Sequence, residues 1–458
     1  MGFTRHSLTL QKEETTRSEN IYEVAVIGGG ISGSALLYCL SKYTNISRIV
    51  LLEKNQDVAL GNSHKTSNSQ TLHFGDIETN YTLEKAQKVN RAASLVKNYI
   101  LSNDPQQEIY SKYHKMVLAI GKAQTEELRE RYKEFRSLFS KLKLIGKEEI
   151  EVFEPNVIKN RAPNEEILAL FTEDGYTVDF QKLAQSFLRK SIEPPKKTID
   201  LMMTTKVKSI KKEGGLYQIQ TDREAIAAQV VVFTTGAYSL LFAKSLGYGK
   251  DYALLNVAGS FYLAPGVLNG KVYTVQLKKI PFAAIHGDAE VHAPSQTRFG
   301  PTAKVTPVLE QGKYATIFDY LKTAGLSINA FLSFLNILSE PAILKYILRN
   351  FIYDIPVIGK RLFLKEVQKI VPSIQLNEIE LAKGYGGIRP QIVNLKNKRL
   401  ELGEAKIVGE NIIFNITPSP GASTCLQNAE YDTEKIISFL GQEYKFDKNR
   451  FLKDLADE

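Results

Sequence analysis

A glycine-rich turn stands between a buried-type strand and a helix: Ile27-Gly28-Gly29-Gly30-Ile31-Ser32-Gly33 follows the apolar run Val24 to Ile27 and opens a helix-forming stretch. Gly28 permits the tight turn, Gly30 lets the backbone approach a pyrophosphate, and Gly33 lets the helix pack close on the strand. Free N–H groups at that helix start face the phosphates. A second strand, Arg48 to Leu52, ends in Glu53, placed where an acid accepts both hydroxyls of an adenosine ribose. Strand, glycines, helix, strand and acid in one unit predict a dinucleotide site in an α/β fold.

The 458 residues exceed what one hydrophobic core usually serves, so two domains are expected. The 59 Lys and Arg outnumber the 50 Asp and Glu without forming a dense basic block, which argues against nucleic acid as a partner. The excess reads either as a solvated basic surface or as attraction to anionic lipid or a dicarboxylate. Two cysteines, Cys39 and Cys425, make no disulfide framework, and their spacing fits no zinc site, so no metal is expected. The first 20 residues are polar and lack the apolar region of a signal peptide, which predicts a disordered tail on a chain that is not secreted. The uncharged stretch Thr323 to Ser339 is short for a membrane span and contains Gly325, Asn329 and Asn336, so no transmembrane helix is expected.

Along the chain, a small-residue segment from Gly61 to Gln70 leads into His73-Phe74-Gly75. Charged helical patterns follow at 83–100 and 125–142, loops and short strands at 152–177, and a helix at 180–189. Short strands are expected at 204–210, 217–221 and 228–234; the last contains Val230-Val231-Val232-Phe233, suited to a strand buried on both faces, and runs into Thr234-Thr235-Gly236-Ala237. Ile412 to Ile416 is a similar strand, followed by Pro418-Ser419-Pro420-Gly421-Ala422-Ser423 and a helix. Three nucleotide-type turns so far apart imply a cofactor domain assembled from residues 21–100, 165–250 and 380–458. Residues 101–164 and 251–379 then form the second, substrate or cap domain.

These blocks, with Asn68-Ser69-Gln70-Thr71-Leu72-His73-Phe74-Gly75 and Gly387-Ile388-Arg389-Pro390, resemble the FAD-dependent oxidoreductases of the D-amino-acid oxidase and glycine oxidase superfamily. Within it, Gly75 to Thr82, Pro281 to Asp288, Thr297 to Ala303 and Pro418 to Gln427 resemble the malate:quinone oxidoreductases of the shorter, epsilonproteobacterial kind, over about Ile21 to Asp447. The resemblance implies a Rossmann-like FAD-binding domain built from discontinuous segments, plus an α+β substrate domain with an antiparallel sheet. It implies FAD without a metal, oxidation of L-malate to oxaloacetate in the tricarboxylic acid cycle, and electrons passed to a membrane quinone by a cytoplasmic protein, peripheral on the inner membrane face where it meets lipid. The FAD-binding residues it implies are Gly28, Gly30, Ser32, Gly33, Glu53, Ser69, Gln70, Val207, Thr235, Gly236, Pro420, Gly421 and Ala422.

Taking a hydride from a 2-hydroxy acid requires a carboxylate clamp, a base for the hydroxyl proton and a flavin facing C2. Arginine pairs bidentately with a carboxylate. Arg389, at a strand start after Gly384, Gly386 and Gly387, is the expected clamp, and Arg298, before Phe299-Gly300-Pro301, is the candidate for a second carboxylate. Histidine is the natural base. Of the six histidines, His286 ranks first for that role and His73 is expected near the flavin ring; His6 and His292 are expected in solvent, and His114, in a Lys-rich segment before a strand, at the surface. Tyr81 reads either as a substrate hydrogen-bond donor, with Asn80, or as core. N–H groups of Gly421 and Ala422 would stabilise negative charge on a reduced flavin.

Residues 326–365 combine many apolar side chains, including Phe331, Leu348 and Phe351, with Lys345, Arg349, Lys360, Arg361 and Lys365. They read either as a helical cap packed on its own domain or as a surface resting on lipid. Another 2-hydroxy acid, such as 2-hydroxyglutarate or lactate, and a non-catalytic nucleotide-fold binding module remain alternatives at this point.

Overall fold

The computed structural model describes residues 21–456 except 194–196, 277–284, 292, 325–331, 334, 337–338, 354, 356, 402–404 and 418–419. The expected tail, His6, His292 and the Pro281-to-Ala284 part of the resemblance lie outside the described residues.

The nucleotide-side sheet runs Ala405–Gly409, Ile412–Ile416, Ala225–Phe233, Ile21–Ile27, Arg48–Leu52, Thr198–Met202 in space, with the hairpin Val207–Glu213 and Leu216–Thr221 branching from Ala225–Phe233. The first junction is antiparallel and the next four are parallel. Val230 to Phe233 are wholly buried, as a strand covered on both faces must be. Each such side chain contributes about 1.5–3 kcal/mol by leaving water. Helices Ile31–Tyr43, Phe180–Ser191 and Cys425–Leu440 cover one face, packed through Tyr38, Phe187 and Leu426. Helix Tyr238–Ser245 covers the other. Registry sets the site: Ile27 pairs with Leu52 and with Phe233, and Phe233 pairs with Phe414. Their following turns therefore leave the sheet side by side at the carboxyl edge, where open α/β sheets bind ligands.

A second sheet runs Glu380–Leu381, Tyr262–Pro265, Ala293–Gly300, His286–Glu290, Lys271–Thr274, Tyr110–Ile120, Ile167–Val178, Lys143–Ile145. Only its Lys271–Thr274 and Tyr110–Ile120 neighbours are parallel. A third, antiparallel sheet runs Lys304–Val305, Tyr252–Ala258, Ile388–Asn394, Arg399–Glu401.

Residues 152–177 differ from their expected loops and short strands. Helices Lys147–Phe153 and Pro155–Ile158 precede one long strand, Ile167–Val178, which belongs to the second sheet although the sequence grouped it with the nucleotide segments. Glu173-Asp174-Gly175 reads as a turn but sits inside this strand, where Glu173 and Asp174 bulge opposite the single residue His114, between the Tyr113–Gly175 and Lys115–Thr172 pairs. Gly175 is needed because a Cβ there would lie 2.4 Å from the Tyr113 carbonyl oxygen. His114 is likewise not a surface residue. It stands within strand Tyr110–Ile120, its Nε2 2.8 Å from the buried Glu154 carboxylate and its ring stacked on Phe171.

Candidate active site

The three turns, with residues 59–73, 205–207, 304–314 and 384–390, enclose a cavity of about 670 Å³. At the first turn, Gly28 has φ +104°, and a Cβ on Gly33 would fall 1.9 Å from the Gly28 carbonyl oxygen, so helix and strand close only on glycine. Gly30 differs: its Cβ would meet only Ser63 Oγ, at 3.4 Å, leaving the face toward the cavity free for a ligand. Thr234 Oγ1 donates to the Gly28 carbonyl at 2.7 Å and locks the second turn to the first. Neither helix Ile31–Tyr43 nor helix Cys425–Leu440 is capped by the side chain of its own N-cap residue or carries an acidic residue in its first turn, and Ser63 Oγ accepts from Ile31 N–H at 3.0 Å; the lack of negative charge leaves both N-termini suited to an anion.

Glu53 is buried in the wall. Its Oε2 accepts from Gly29 N–H at 2.7 Å, and its Oε1 accepts from the Asn55 backbone N–H at 2.9 Å and from the Asn55 side-chain amide at 2.7 Å. A carboxylate has about four acceptor positions. Three are taken, and one, on Oε2, remains for a ribose hydroxyl. Ser32, Ser69, Val207, Thr235, Gly236, Pro420, Gly421 and Ala422 also line the cavity, whereas Gly33 supports the turn from behind. Gln70 is not in the wall: it is buried, donating to the Lys65 carbonyl and accepting from Val291 N–H. An open cradle at Gly30, an acid at Glu53 with one acceptor position to spare and two helix starts without acidic side chains fit FAD.

Arg389 and His73 meet at the same cavity. Arg389 is held there because its loop is fastened to the small-residue segment: Asn62 exchanges two hydrogen bonds with Ile388, and Gly386 N–H donates to the Thr66 carbonyl at 2.8 Å. His73 follows Thr71 and Leu72, which are tied to strand Ile167–Val178. Its own N–H donates to Ser423 Oγ at 2.9 Å, joining it to the C-terminal turn.

His286 and Arg298 stand behind this wall. In strands His286–Glu290 and Ala293–Gly300 they face Asp288: Arg298 Nη2 lies 2.9 Å and Lys271 Nζ 3.3 Å from Asp288 Oδ2, with His286 Nε2 3.4 Å from Oδ1. All four side chains are buried, and Tyr273 stacks on the His286 ring. Burial alone would raise the Asp288 carboxyl, but Lys271, Arg298 and His286 hold it below its usual range. Burial lowers Lys271 to about 8. Tyr81 also lies outside the cavity wall, its ring under Lys85 Nζ at 4.1 Å and its hydroxyl pushed up by burial.

Three acids near the site were given no role from sequence, although Asp76 and Glu78 lie within the family-like Gly75-to-Thr82 block. Glu78 receives the His73 ring at 2.6 Å, and Asp76 pairs with buried Lys115 at 2.7 Å. An acid five residues past a histidine, beyond a glycine, was the signal available in sequence. Near the cavity's other side, Glu310 meets Lys54, Lys313 and Tyr238, which hold it at about 2 against the raising effect of burial and fasten the 304–314 segment across the nucleotide wall.

A sequence profile of malate:quinone oxidoreductases matches residues 20–431. A malate:quinone oxidoreductase of Helicobacter pylori is 40% identical over 445 residues, spanning 95% of this chain and 98% of its own. Among solved structures, L-alpha-glycerophosphate oxidase from Mycoplasma pneumoniae with FAD bound is 17% identical with a TM-score of 0.62, covering 91% of this chain and 94% of its own. Glycine oxidase from Geobacillus kaustophilus is 15% identical with the same TM-score, covering 91% and 95%. These likenesses carry the fold, and the profile with the Helicobacter relative carries the family. The chain belongs to the malate:quinone oxidoreductase family and is an FAD-dependent oxidoreductase that takes electrons from malate to a quinone.

Proposed function

We propose that L-malate binds in the cavity with a carboxylate on Arg389 and its 2-hydroxyl against His73, and leaves as oxaloacetate. The supporting observation is that these two side chains reach one cavity from segments more than 300 residues apart, each fastened there by backbone hydrogen bonds. FAD, when bound, supplies the two-electron acceptor and the relay to quinone. Arg389 neutralises and orients the acid, and His73 takes the hydroxyl proton as the alcohol becomes a ketone. His286 and Arg298 support the wall from the buried Asp288 cluster in this reading, and the second sheet carries the substrate side of a two-domain enzyme. Anaerobic addition of L-malate is expected to bleach the visible flavin absorption, with lactate and 2-hydroxyglutarate leaving it in place. Bleaching by 2-hydroxyglutarate but not malate would overturn the substrate.

We further propose that lipid contact uses the helices Pro341–Tyr353 and Ile358–Val367. Among the described residues no helix is long and apolar enough to cross a membrane. Leu348, Phe351, Val357 and Ile358 are nevertheless exposed beside exposed Lys345, Arg361 and Lys365, the pairing an interfacial helix presents to anionic headgroups. Phe331, Phe334, Ile337 and Leu338 lie outside the described residues. The protein is expected to float with vesicles containing anionic lipid and to lose that binding when Leu348 and Phe351 are both changed to Glu. Absence of flotation on anionic and neutral vesicles alike would end this reading.

A further inference from the structure

Glu78 is placed by the fold to act on His73 alone. Gly75, at φ +83°, lets the chain pass so close to helix Leu83–Asn103 that a Cβ would lie 2.8 Å from Ala86 Cα. The chain then doubles back, Ile77 buries, and the Glu78 carbonyl is gripped by Arg131 from helix Lys122–Phe135. This returns the Glu78 carboxylate to His73, with Oε1 2.6 Å from Nδ1. Glu78 Oε2 is buried and makes no hydrogen bond among the described residues.

The charged groups around the pair are few. Asp76 and Lys115, the latter from strand Tyr110–Ile120, bind each other beside it; Arg131 meets the backbone of Glu78; Lys85 and the hydroxyls of Tyr81 and Tyr273 lie within the field of its carboxylate; Arg389 lines the same cavity as His73. Burial alone would raise Glu78, but the hydrogen bond and charge of His73, and the charge of Lys115, hold it low. An ionised carboxylate only accepts hydrogen bonds. The hydrogen between them therefore belongs to Nδ1, and the Nε2 of a neutral ring carries a lone pair.

We infer that Glu78 is a positioning residue for the reaction: it fixes His73 as the Nδ1–H tautomer, aligns Nε2 with the substrate hydroxyl, and stabilises the imidazolium formed when that proton arrives. This rests on His73 as the base. The proton leaves the malate hydroxyl and the ring gains one charge, which Glu78 balances without itself being protonated. The pair is not merely a structural staple, because the backbone bond from His73 to Ser423 and the grip of Arg131 already fix this segment.

The test compares Glu78→Gln, Glu78→Asp and His73→Gln in flavin-loaded enzyme, with flavin content measured for each. Glu78→Gln is expected to lower kcat about 10²-fold while the KM for malate stays within about twofold. Glu78→Asp keeps the charge and is expected to restore most of kcat. With six histidines in the sequence, 15N-histidine spectra have few signals, and the one missing in His73→Gln is expected to show the Nδ1–H form and to lose it in Glu78→Gln. Undiminished turnover in His73→Gln would overturn the base itself. Collapse in His73→Gln with kcat and the tautomer unchanged in Glu78→Gln would overturn the role of Glu78 alone. If Glu78→Gln loses flavin, the aspartate variant and the tautomer in unsubstituted enzyme decide, and an Nε2–H ring there defeats the inference.

Discussion

Replacing Arg389 with alanine is expected to lower kcat/KM for malate by about 10²- to 10³-fold, with flavin content unchanged. The guanidinium lies in the cavity wall at the start of strand Ile388–Asn394, and its loop is sewn to Asn62 and Thr66 by backbone hydrogen bonds that do not involve its side chain. Truncation removes the charge while these backbone bonds remain. Losing one member of a desolvated charge pair costs about 2–5 kcal/mol, and each 1.4 kcal/mol is tenfold. Lysine at this position is expected to recover only part of the loss, since a point charge cannot reproduce a planar fork. Steady-state kinetics over a malate titration read this directly. An alanine variant with a KM and kcat within twofold of the parent would show that the acid is held elsewhere.

The glycine turn gives the second large effect, and it separates two roles that sequence spacing merges. Gly33→Val places a branched side chain where even a Cβ would sit 1.9 Å from the Gly28 carbonyl and 2.6 Å from Thr234 Oγ1. The protein is expected to be colourless and destabilised by about 1–3 kcal/mol or more, the usual cost of overpacking. Gly30→Val meets little of the protein, with Ser63 Oγ at 3.4 Å the nearest neighbour. That variant is expected to fold as stably as the flavin-free parent and still fail to retain flavin. Thermal unfolding with and without added FAD, read beside the visible spectrum, distinguishes the pair. A yellow Gly30→Val protein would place the pyrophosphate away from this turn.

The nucleotide half was legible because backbone geometry dictates residue type. A turn that a side chain would block must be glycine, and a strand covered on both faces must be apolar, so Gly28 to Gly33 and Val230 to Phe233 announced their places. Arg389 and His73 were found through longer motifs and do reach the cavity. His286, expected as the base, lies behind the wall because its ring stacks on Tyr273 of the paired strand and turns to the buried Asp288. Arg298 is buried in the adjacent strand against Asp288 for the same reason. Periodicity says which residues are inside; it does not say whether the inside is core or cavity. His114 misled through its lysine neighbours, since Glu154, forty residues on, is what buries it. Glu78 was missed because a carboxylate after a glycine looks like any loop acid until the chain is seen to turn back.

The strand Ile412–Ile416 pairs with Ala225–Phe233, which in turn pairs with Ile21–Ile27. Such distant partners make assembly slow, because loop closure must precede the contacts that reward it. During synthesis the early phosphate turn waits, incomplete, for neighbours made much later, and its apolar edges stay open to wrong partners. Uptake of the coloured group is thus a late event that seals the finished sheet, and cells starved of riboflavin should accumulate this polypeptide as a substrate for chaperones and proteases rather than as a dormant pool.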